Sequence, residues 1–112
     1  QLADDLLDLA ASEEELGKPP GTDLRDGVYT LPVIYALEHD PVLADCIGRP
    51  DPDVEAMRAG VLKSGAFEHT LALAEEHCNR ALVLLEGSPD CPARDSLERL
   101  TRLIVDRVPA FE

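Results

Sequence analysis

The sequence has no tryptophan and few aromatic residues of any kind. Leu and Ala dominate its apolar residues, and this composition favours helices over strands. No stretch alternates apolar and polar residues well enough to indicate a strand. A chain of 112 residues forms one domain at most, or a part of one. The sequence therefore predicts an all-α fold of five or six helices.

Basic residues are also scarce. The chain has 10 Lys and Arg residues but 23 Asp and Glu residues, which gives a formal net charge of -13. This balance argues against nucleic acid as a partner, since a phosphate backbone needs a basic surface. It argues equally against binding to an anionic membrane surface. It is compatible with binding a divalent metal ion, or simply with solubility. Two of the ten basic residues are lysines, which makes Lys18 the more noticeable.

Long apolar runs are missing too, and none approaches the roughly 20 residues that a membrane-spanning helix needs. We therefore expect a chain that does not span a membrane. The three cysteines are Cys46, Cys78 and Cys91. They are odd in number and irregularly spaced, without C-x-x-C, which indicates neither a zinc site nor a disulfide framework. Unpaired cysteines fit a reducing, cytoplasmic location.

The Cys and His residues do not form any known metal-binding sequence motif. Cys78 falls on an apolar helical stripe and is predicted to be a small core residue. The three histidines are His39, His69 and His77. They are scattered and form no H-E-x-x-H motif, so packing or surface roles are expected for them rather than ligation.

Apolar periodicity and breakers divide the first half of the chain. Residues 1 to about 12 are predicted to form a first helix, apolar on much of its circumference. Residues 13 to 29 are predicted to form a long irregular loop, because "GKPPGTDLRDG" holds three Gly and two Pro. Thr30 is a good N-cap for a helix to about His39, with Pro32 in its first turn. "DPVLADCIGRPDPD" then predicts a short helix and a loop.

The second half of the chain is predicted to form three helices. Asp51 or Asp53 is predicted to start a helix through Leu62, with Val54, Met57 and Val61 on one face. Ser64 is predicted to open the longest helix, which Gly87 ends after about Glu86. The apolar stripe of this longest helix consists of Phe67, Leu71, Ala74, Cys78, Leu82 and Leu85. Pro92 suits the first turn of a last helix through about Val108, whose stripe is Leu97, Leu100, Leu103, Ile104 and Val108.

Three aspartates interrupt the apolar first helix. Asp4 and Asp8 are four residues apart and share one face, and Asp5 reaches the edge of that face. Carboxylates stacked in this way repel, and the penalty grows if the helix is buried. Mg²⁺ could compensate, since it takes one or two carboxylates plus substrate phosphates, and Lys18 could fold back to the same phosphates. From these residues alone, a metal site and a solvated acidic face both stay open.

The stretch "QLADDLLDLAASEEELGKPPGTDLRDGVYTLPVIYAL" resembles the second aspartate-rich region of the trans-polyprenyl diphosphate synthases. That family has a Phe-Gln-x-x-Asp-Asp-x-x-Asp helix, then a Gly-Lys-Pro-x-Gly-x-Asp-Leu loop and Gly-x-x-Thr-Leu-Pro. The tail from Ser64 to Arg107 resembles, more loosely, the family's closing helices. Val28 departs from the pattern, since the family often has Lys or Arg there. The resemblance implies the C-terminal helices of an isoprenoid-synthase-type helical bundle.

The resemblance also implies a role for each motif residue. Asp4 would be a direct Mg²⁺ ligand, and Asp5 and Asp8 would hold the metal's waters or help orient it. Lys18 would contact the diphosphate of the allylic substrate, and Gln1 would lie near the developing carbocation. For Asp23, in the Asp-Leu pair of the loop, a turn or helix-cap role is favoured over a metal role.

As a whole, the resemblance implies a prenyltransferase that joins an allylic diphosphate to isopentenyl diphosphate, with Mg²⁺ assisting the departure of diphosphate. The family's first aspartate-rich motif lies upstream of the region matched here. We therefore expect the C-terminal portion of a synthase, inactive alone, that needs the N-terminal half or a complementary chain. The resemblance implies a homodimer for the intact enzyme. Two alternatives stay open: a non-catalytic partner subunit, and an acidic helical interaction module without diphosphate chemistry.

Overall fold

A computed structural model of the chain describes residues 1–47 and 49–110. Within these ranges the chain is helical and contains no strand, which confirms the all-α prediction. The helices are α1 (Leu2–Ala10), α2 (Glu13–Leu16), α3 (Thr22–Arg25), α4 (Leu31–His39), α5 (Pro41–Ala44), α6 (Val54–Lys63), α7 (Ala66–Glu86) and α8 (Pro92–Asp106). These exceed the five or six helices predicted, because α2 and α3 are single turns within the segment predicted to be irregular.

A capping box explains α2. Ser12 Oγ accepts a hydrogen bond from the Glu15 N–H, and a Glu15 carboxylate oxygen accepts one from the Ser12 N–H. These two bonds satisfy backbone donors that a helix start leaves free. Gly17 then ends α2 in the left-handed region, at φ 69. An irregular loop was predicted here from the Gly and Pro residues, and the capping box of Ser12 and Glu15 was missed.

The middle helices begin and end close to the predicted positions. Thr30 is the N-cap of α4, Pro32 lies in its first turn, and the helix ends at His39. Asp53, rather than Asp51, starts α6, because its carboxylate accepts a hydrogen bond from the Ala56 N–H at 3.0 Å. Capping side chains therefore set these boundaries, as the sequence indicated.

The long helix α7 is the centre of the fold, since α1, α4, α6 and α8 all contact it. Ser64 does not open α7 as predicted. It is the C-cap of α6, and Gly65 stands at the α7 N-cap with φ 82. The largest fully buried side chains of the core are Leu6, Leu9, Pro32, Val33, Val61, Phe67 and Thr70. The core thus lies around the N-terminal half of α7.

The C-terminal half of α7 packs against α8 outside this core. Cys78 lies there, half-buried, with Sγ 3.5 Å from the Thr101 carbonyl oxygen. Cys78 therefore lies in the contact between two helices, half-buried, and is not part of the buried core, contrary to the prediction. Within the part of the chain that the structure describes, no helix is both long and apolar enough to cross a membrane.

The last helix is amphipathic as predicted, but this chain leaves most of its stripe uncovered. Leu97, Leu100, Leu103 and Ile104 are exposed, and together we call them the α8 apolar face. Val108, just beyond the end of α8, is buried. An exposed row of large apolar side chains on one helix is a surface suited to contact with further protein.

Candidate functional site

The three aspartates of α1 lie in different environments. The Asp4 side chain is 63% exposed, whereas Asp5 and Asp8 are buried. The leucines of α1 pack against α4, α6 and α7, so one side of the helix is enclosed. The shared face predicted for Asp4 and Asp8 is therefore divided into an open end at Asp4 and a covered end at Asp8.

The loop after α2 covers Asp8 and is fastened to it. The Gly21 N–H donates to the main-chain oxygen of Asp8 at 2.7 Å, and the Asp23 N–H donates to Asp8 Oδ2 at 3.1 Å. Gly21 has φ 73, and a Cβ there would approach Arg58 Cδ to 3.3 Å, so glycine suits this turn. Asp8 thus fixes the position of the Gly-Pro loop relative to α1.

The same contact brings Lys18 to the aspartates, whereas the sequence predicted that it would fold back to substrate phosphates held at this site. Lys18 Nζ lies 3.0 Å from Asp8 Oδ1, and its side chain remains 47% exposed. Oδ1 is buried, and no hydrogen bond of good geometry reaches it within the described part of the chain, so the lysine is its neighbouring positive charge. Close contact with Asp8 raises the pKa of Lys18. A charged ammonium group is therefore placed at the open side of the loop, next to the aspartates.

Gln1 and Asp5 form a second pair. Gln1 Nε2 donates a hydrogen bond to Asp5 Oδ1 at 2.8 Å. Gln1 also borders a groove of about 300 Å³ between α1, α7 and α8, whose lining is Gln1, Leu2, Ala3, Ala74, His77, Cys78 and Ile104. The predicted catalytic amide therefore stands where the carboxylate cluster meets a largely apolar groove.

Asp23 is closer to the cluster than its predicted turn role indicated. Burial raises the pKa of the Asp23 carboxyl, and the charge of Asp8 raises it further, while Lys18 acts in the opposite direction. The carboxyl therefore lies within electrostatic reach of Asp8 and Lys18. Sequence spacing could not show this, because the distance between the two aspartates depends on how the loop folds back.

Arg107 pairs with Asp4 across 103 residues of sequence. Arg107 is the C-cap of α8, so this ion pair joins the end of the last helix to the first turn of α1. Arg58 makes a related contact, since its Nη1 donates to the Leu9 carbonyl oxygen at the C-terminal turn of α1. The sequence analysis missed both arginines, and no local motif marks either of them.

Each aspartate of α1 therefore has a partner from its own chain: Arg107 for Asp4, Gln1 for Asp5 and Lys18 for Asp8. Within residues 1–47 and 49–110, no three His, Cys, Asp or Glu side chains are arranged to hold a metal ion. The donor chemistry nevertheless suits Mg²⁺, which prefers carboxylate oxygens and needs only one or two of them beside phosphates and water. The exposed Asp4 carboxylate is the one open to such an ion.

His39 and His69 are engaged elsewhere, whereas His77 lines the groove that Gln1 borders. Tyr35 stacks between the rings of His39 and His69, with ring centroids 4.1 Å and 4.3 Å apart. His39 Nδ1 also lies 2.7 Å from the Tyr35 carbonyl oxygen. This stack joins α4 to α7, in line with the packing role expected from the sequence.

The buried Asp5 carboxyl predicts a specific dependence of stability on pH. Burial raises its pKa above the ordinary 3.8, the hydrogen bond from Gln1 partly offsets this, and the charges of Asp4 and Asp8 add to it. A raised acid pKa means that the folded chain binds the proton more tightly than the unfolded chain. The ionised carboxylate therefore lowers stability at neutral pH, and this cost disappears as pH falls through the raised pKa towards 3.8.

We expect Asp5→Asn to be more stable than the original chain at pH 7, because the amide oxygen still accepts from Gln1 without a buried charge. The difference should shrink as pH falls towards 4. Urea unfolding at pH 7, 5 and 4 measures it, with the exposed Asp51→Asn as the matched charge control. An equal difference at all three pH values would contradict this account.

Comparisons with known proteins find the same family that the aspartate-rich motif resembles. The sequence model of the family described as Polyprenyl synthetase matches residues 1–62. Heptaprenyl diphosphate synthase component 2 of Geobacillus stearothermophilus is 41% identical over 112 residues, covering 96% of this chain and 35% of that protein. Octaprenyl diphosphate synthase of Escherichia coli is 40% identical over 118 residues, covering 96% of this chain and 35% of that protein.

A mitochondrial relative and a solved structure extend the likeness. The probable hexaprenyl pyrophosphate synthase, mitochondrial, of Neurospora crassa is 41% identical over 100 residues, covering 87% of this chain and 22% of that protein. The crystal structure of heptaprenyl diphosphate synthase from Staphylococcus aureus matches with a TM-score of 0.87 and 29% identity. That match covers 97% of this chain and 36% of the other. The chain thus spans between 22% and 36% of the length of these proteins.

Proposed function

This chain belongs to the polyprenyl synthetase family, and we propose that it supplies the second aspartate-rich side of a prenyltransferase site. The proposed reaction joins an allylic diphosphate to isopentenyl diphosphate. One observation carries the proposal: Asp8 fastens the Lys18 loop to the aspartate helix, so a cation and the carboxylates occur together. A diphosphate bound there would meet both a lysine and a carboxylate-held metal ion.

The proposed cofactor is Mg²⁺, and α1 offers it suitable ligands. Asp4 would be the direct ligand, while Asp5 and Asp8 would hold its waters or orient it. Bound Mg²⁺ would supply positive charge to the diphosphate as the allylic carbon–oxygen bond breaks. Electrostatic stabilisation of charge that develops in the transition state is what such a site must provide.

Lys18 and Gln1 have complementary proposed roles. Lys18 would bind the diphosphate, because its ammonium group is charged at neutral pH and its side chain is half exposed beside Asp8. The Gln1 amide donates through Nε2 to Asp5, which directs its partially negative oxygen away from that carboxylate. This oxygen would face the allylic carbocation beside the apolar groove, whose lining would limit the access of water.

The proposed partner within the site is the family's upstream half, or a complementary chain that contains it. Two observations support this: the relatives are about three to four times as long as this chain, and the α8 apolar face is exposed. A homodimer of the intact enzyme and a cytoplasmic location remain parts of this proposal. The second candidate function is a partner subunit of a two-component synthase, which the designation of the Geobacillus relative as component 2 favours.

The test is the activity of the polypeptide that the whole gene encodes. We expect incorporation of labelled isopentenyl diphosphate into longer products from an allylic diphosphate, and its loss when EDTA removes Mg²⁺. Activity only after mixing with a second gene product would favour the partner-subunit reading. A polypeptide with an intact upstream half that forms no product under any of these conditions would refute the enzyme proposal.

Lys18→Ala tests the proposed diphosphate contact, and the chain offers a natural control. We expect a rise of about tenfold in KM for the allylic diphosphate, because one charge-assisted contact to the phosphates is lost. Lys63→Ala removes the only other lysine, in the last turn of α6, and should leave KM unchanged. Steady-state kinetics with saturating isopentenyl diphosphate measures both variants. Equal KM values for the two would contradict the role of Lys18.

A further inference from the structure

We propose that Arg107 is a positioning residue of the metal site, a counter-ion that holds Asp4 until a divalent cation takes its place. The proposal rests on the proposed function, since it treats Asp4 as a ligand of Mg²⁺. It adds a residue from the far end of the chain to that site. It also links metal binding to the end of α8.

The ion pair between Arg107 and Asp4 is exposed and can be exchanged. The two side chains are 52% and 63% exposed, so solvent can reach both partners. Exposed ion pairs of this kind are weak, and separating one leaves no buried charge behind. The Arg107 guanidinium can therefore leave Asp4 without disturbing the core.

The other aspartates of α1 are held differently. Asp8 is buried and also accepts from the Asp23 main chain, while Asp5 is buried and accepts from a neutral amide. If Gln1 moved away from Asp5, or Lys18 away from Asp8, a buried carboxylate would lose its partner. Burying a charged group without a partner costs free energy. Among the three aspartates, Asp4 is thus the one that is itself exposed, so its cationic partner can leave without stranding a buried carboxylate.

A guanidinium and a metal ion compete for the same carboxylate, since two positive charges at close range repel. Removing the guanidinium should therefore tighten metal binding at Asp4. Because such coupling is reciprocal, metal binding should weaken the ion pair between Asp4 and Arg107 at the end of α8. This is an effect on ion affinity that a merely structural arginine does not produce.

The experiment measures Mn²⁺ affinity by electron paramagnetic resonance, in the presence of pyrophosphate, on the polypeptide that the whole gene encodes. Arg107→Gln should bind Mn²⁺ about two- to fivefold more tightly, the range expected from losing one exposed ion pair. Arg99→Gln removes the same charge from α8 about 12 Å along the helix axis, given 1.5 Å per residue, and should change little. Arg107→Lys keeps the charge and should bind close to the original protein.

Asp4→Asn separates the possible outcomes. It should weaken Mn²⁺ binding by itself, and adding Arg107→Gln to it should cause no further change. If Asp4→Asn weakens binding but Arg107→Gln behaves like Arg99→Gln, or binds less tightly, the inference about Arg107 fails while the proposed function stands. If Asp4→Asn leaves binding unchanged, both fail. Thermal unfolding of Arg107→Gln, expected within a few degrees of the original, confirms that the variant folds.

Discussion

Replacing Asp4 with Asn should lower kcat for prenyl transfer about 10²- to 10³-fold, which is typical of losing one group that stabilises developing charge. Asn has nearly the same shape, so the loss isolates the negative charge that would hold Mg²⁺. Since the Asp4–Arg107 pair is exposed, the free energy of unfolding should change by no more than about 1 kcal/mol. Steady-state kinetics across a range of Mg²⁺ concentrations and urea unfolding check the two expectations together.

The control for Asp4→Asn is Asp90→Asn, in the exposed turn between α7 and α8. It removes one negative charge from the same acidic chain, far from the aspartates of α1, and should leave kcat unchanged. Equal activity of the two variants would show that the charge of Asp4 has no special part in catalysis. A large fall in stability of Asp4→Asn would instead indicate a structural role for this carboxylate.

Replacing Asp8 with Ala should act on the fold as well as on activity. The variant loses the acceptor for the Asp23 N–H and the ion partner of Lys18, both of which fasten the loop to α1. A lost hydrogen bond to a charged group lowers the free energy of unfolding by about 1.5–3 kcal/mol. The loop should become easier to cleave, and activity should fall because Lys18 is no longer held beside the aspartates.

Urea unfolding and limited proteolysis measure these effects of Asp8→Ala. Asp26→Ala, an exposed residue at the end of α3, is the control and should change stability by less than about 0.5 kcal/mol. Asp8→Asn retains an oxygen for the Asp23 N–H but loses the charge, so it should fall between Asp8→Ala and the original chain. If Asp8→Ala leaves the loop as resistant to protease as before, Asp8 does not fasten it.

The two variants test different properties of one short motif. Asp4 and Asp8 look equivalent in the sequence, since they are four residues apart on the same helix. In the structure one carboxylate is open to solvent and the other is covered by a loop. We therefore expect Asp4 to act mainly on chemistry, and Asp8 to act mainly by holding the residues that take part in it.

Local signals in the sequence were enough to predict most helices. The capping residues Thr30 and Asp53 and the early proline Pro92 gave the starts of α4, α6 and α8. These signals are reliable because they satisfy or replace backbone groups within a few residues of the helix end. The capping box formed by Ser12 and Glu15 was also present in the sequence, but the prediction missed it and treated the segment as an irregular loop.

Tertiary structure decided which predicted apolar faces are buried. The stripe of α7 enters the core near Phe67 and Ala74, whereas the stripe of α8 stays exposed at Leu100 and Leu103. Both stripes have helical spacing, and spacing says only that a face could be covered. Whether it is covered depends on which other elements pack against it.

The sequence by itself determined the all-α fold, through the helical spacing of its apolar residues, and the family, through the motif that its first 37 residues share with the family. It also placed three aspartates on adjacent turns of one helix, because that depends only on their spacing along the chain. Only the tertiary structure decided that Asp4 is open and Asp8 covered, that the Asp23 N–H donates to Asp8, and that Arg107 pairs with Asp4. The physical reason is that burial and ion pairing depend on distances in space. A contact such as that between Asp4 and Arg107, which are 103 residues apart in sequence, produces no recognisable pattern in the sequence.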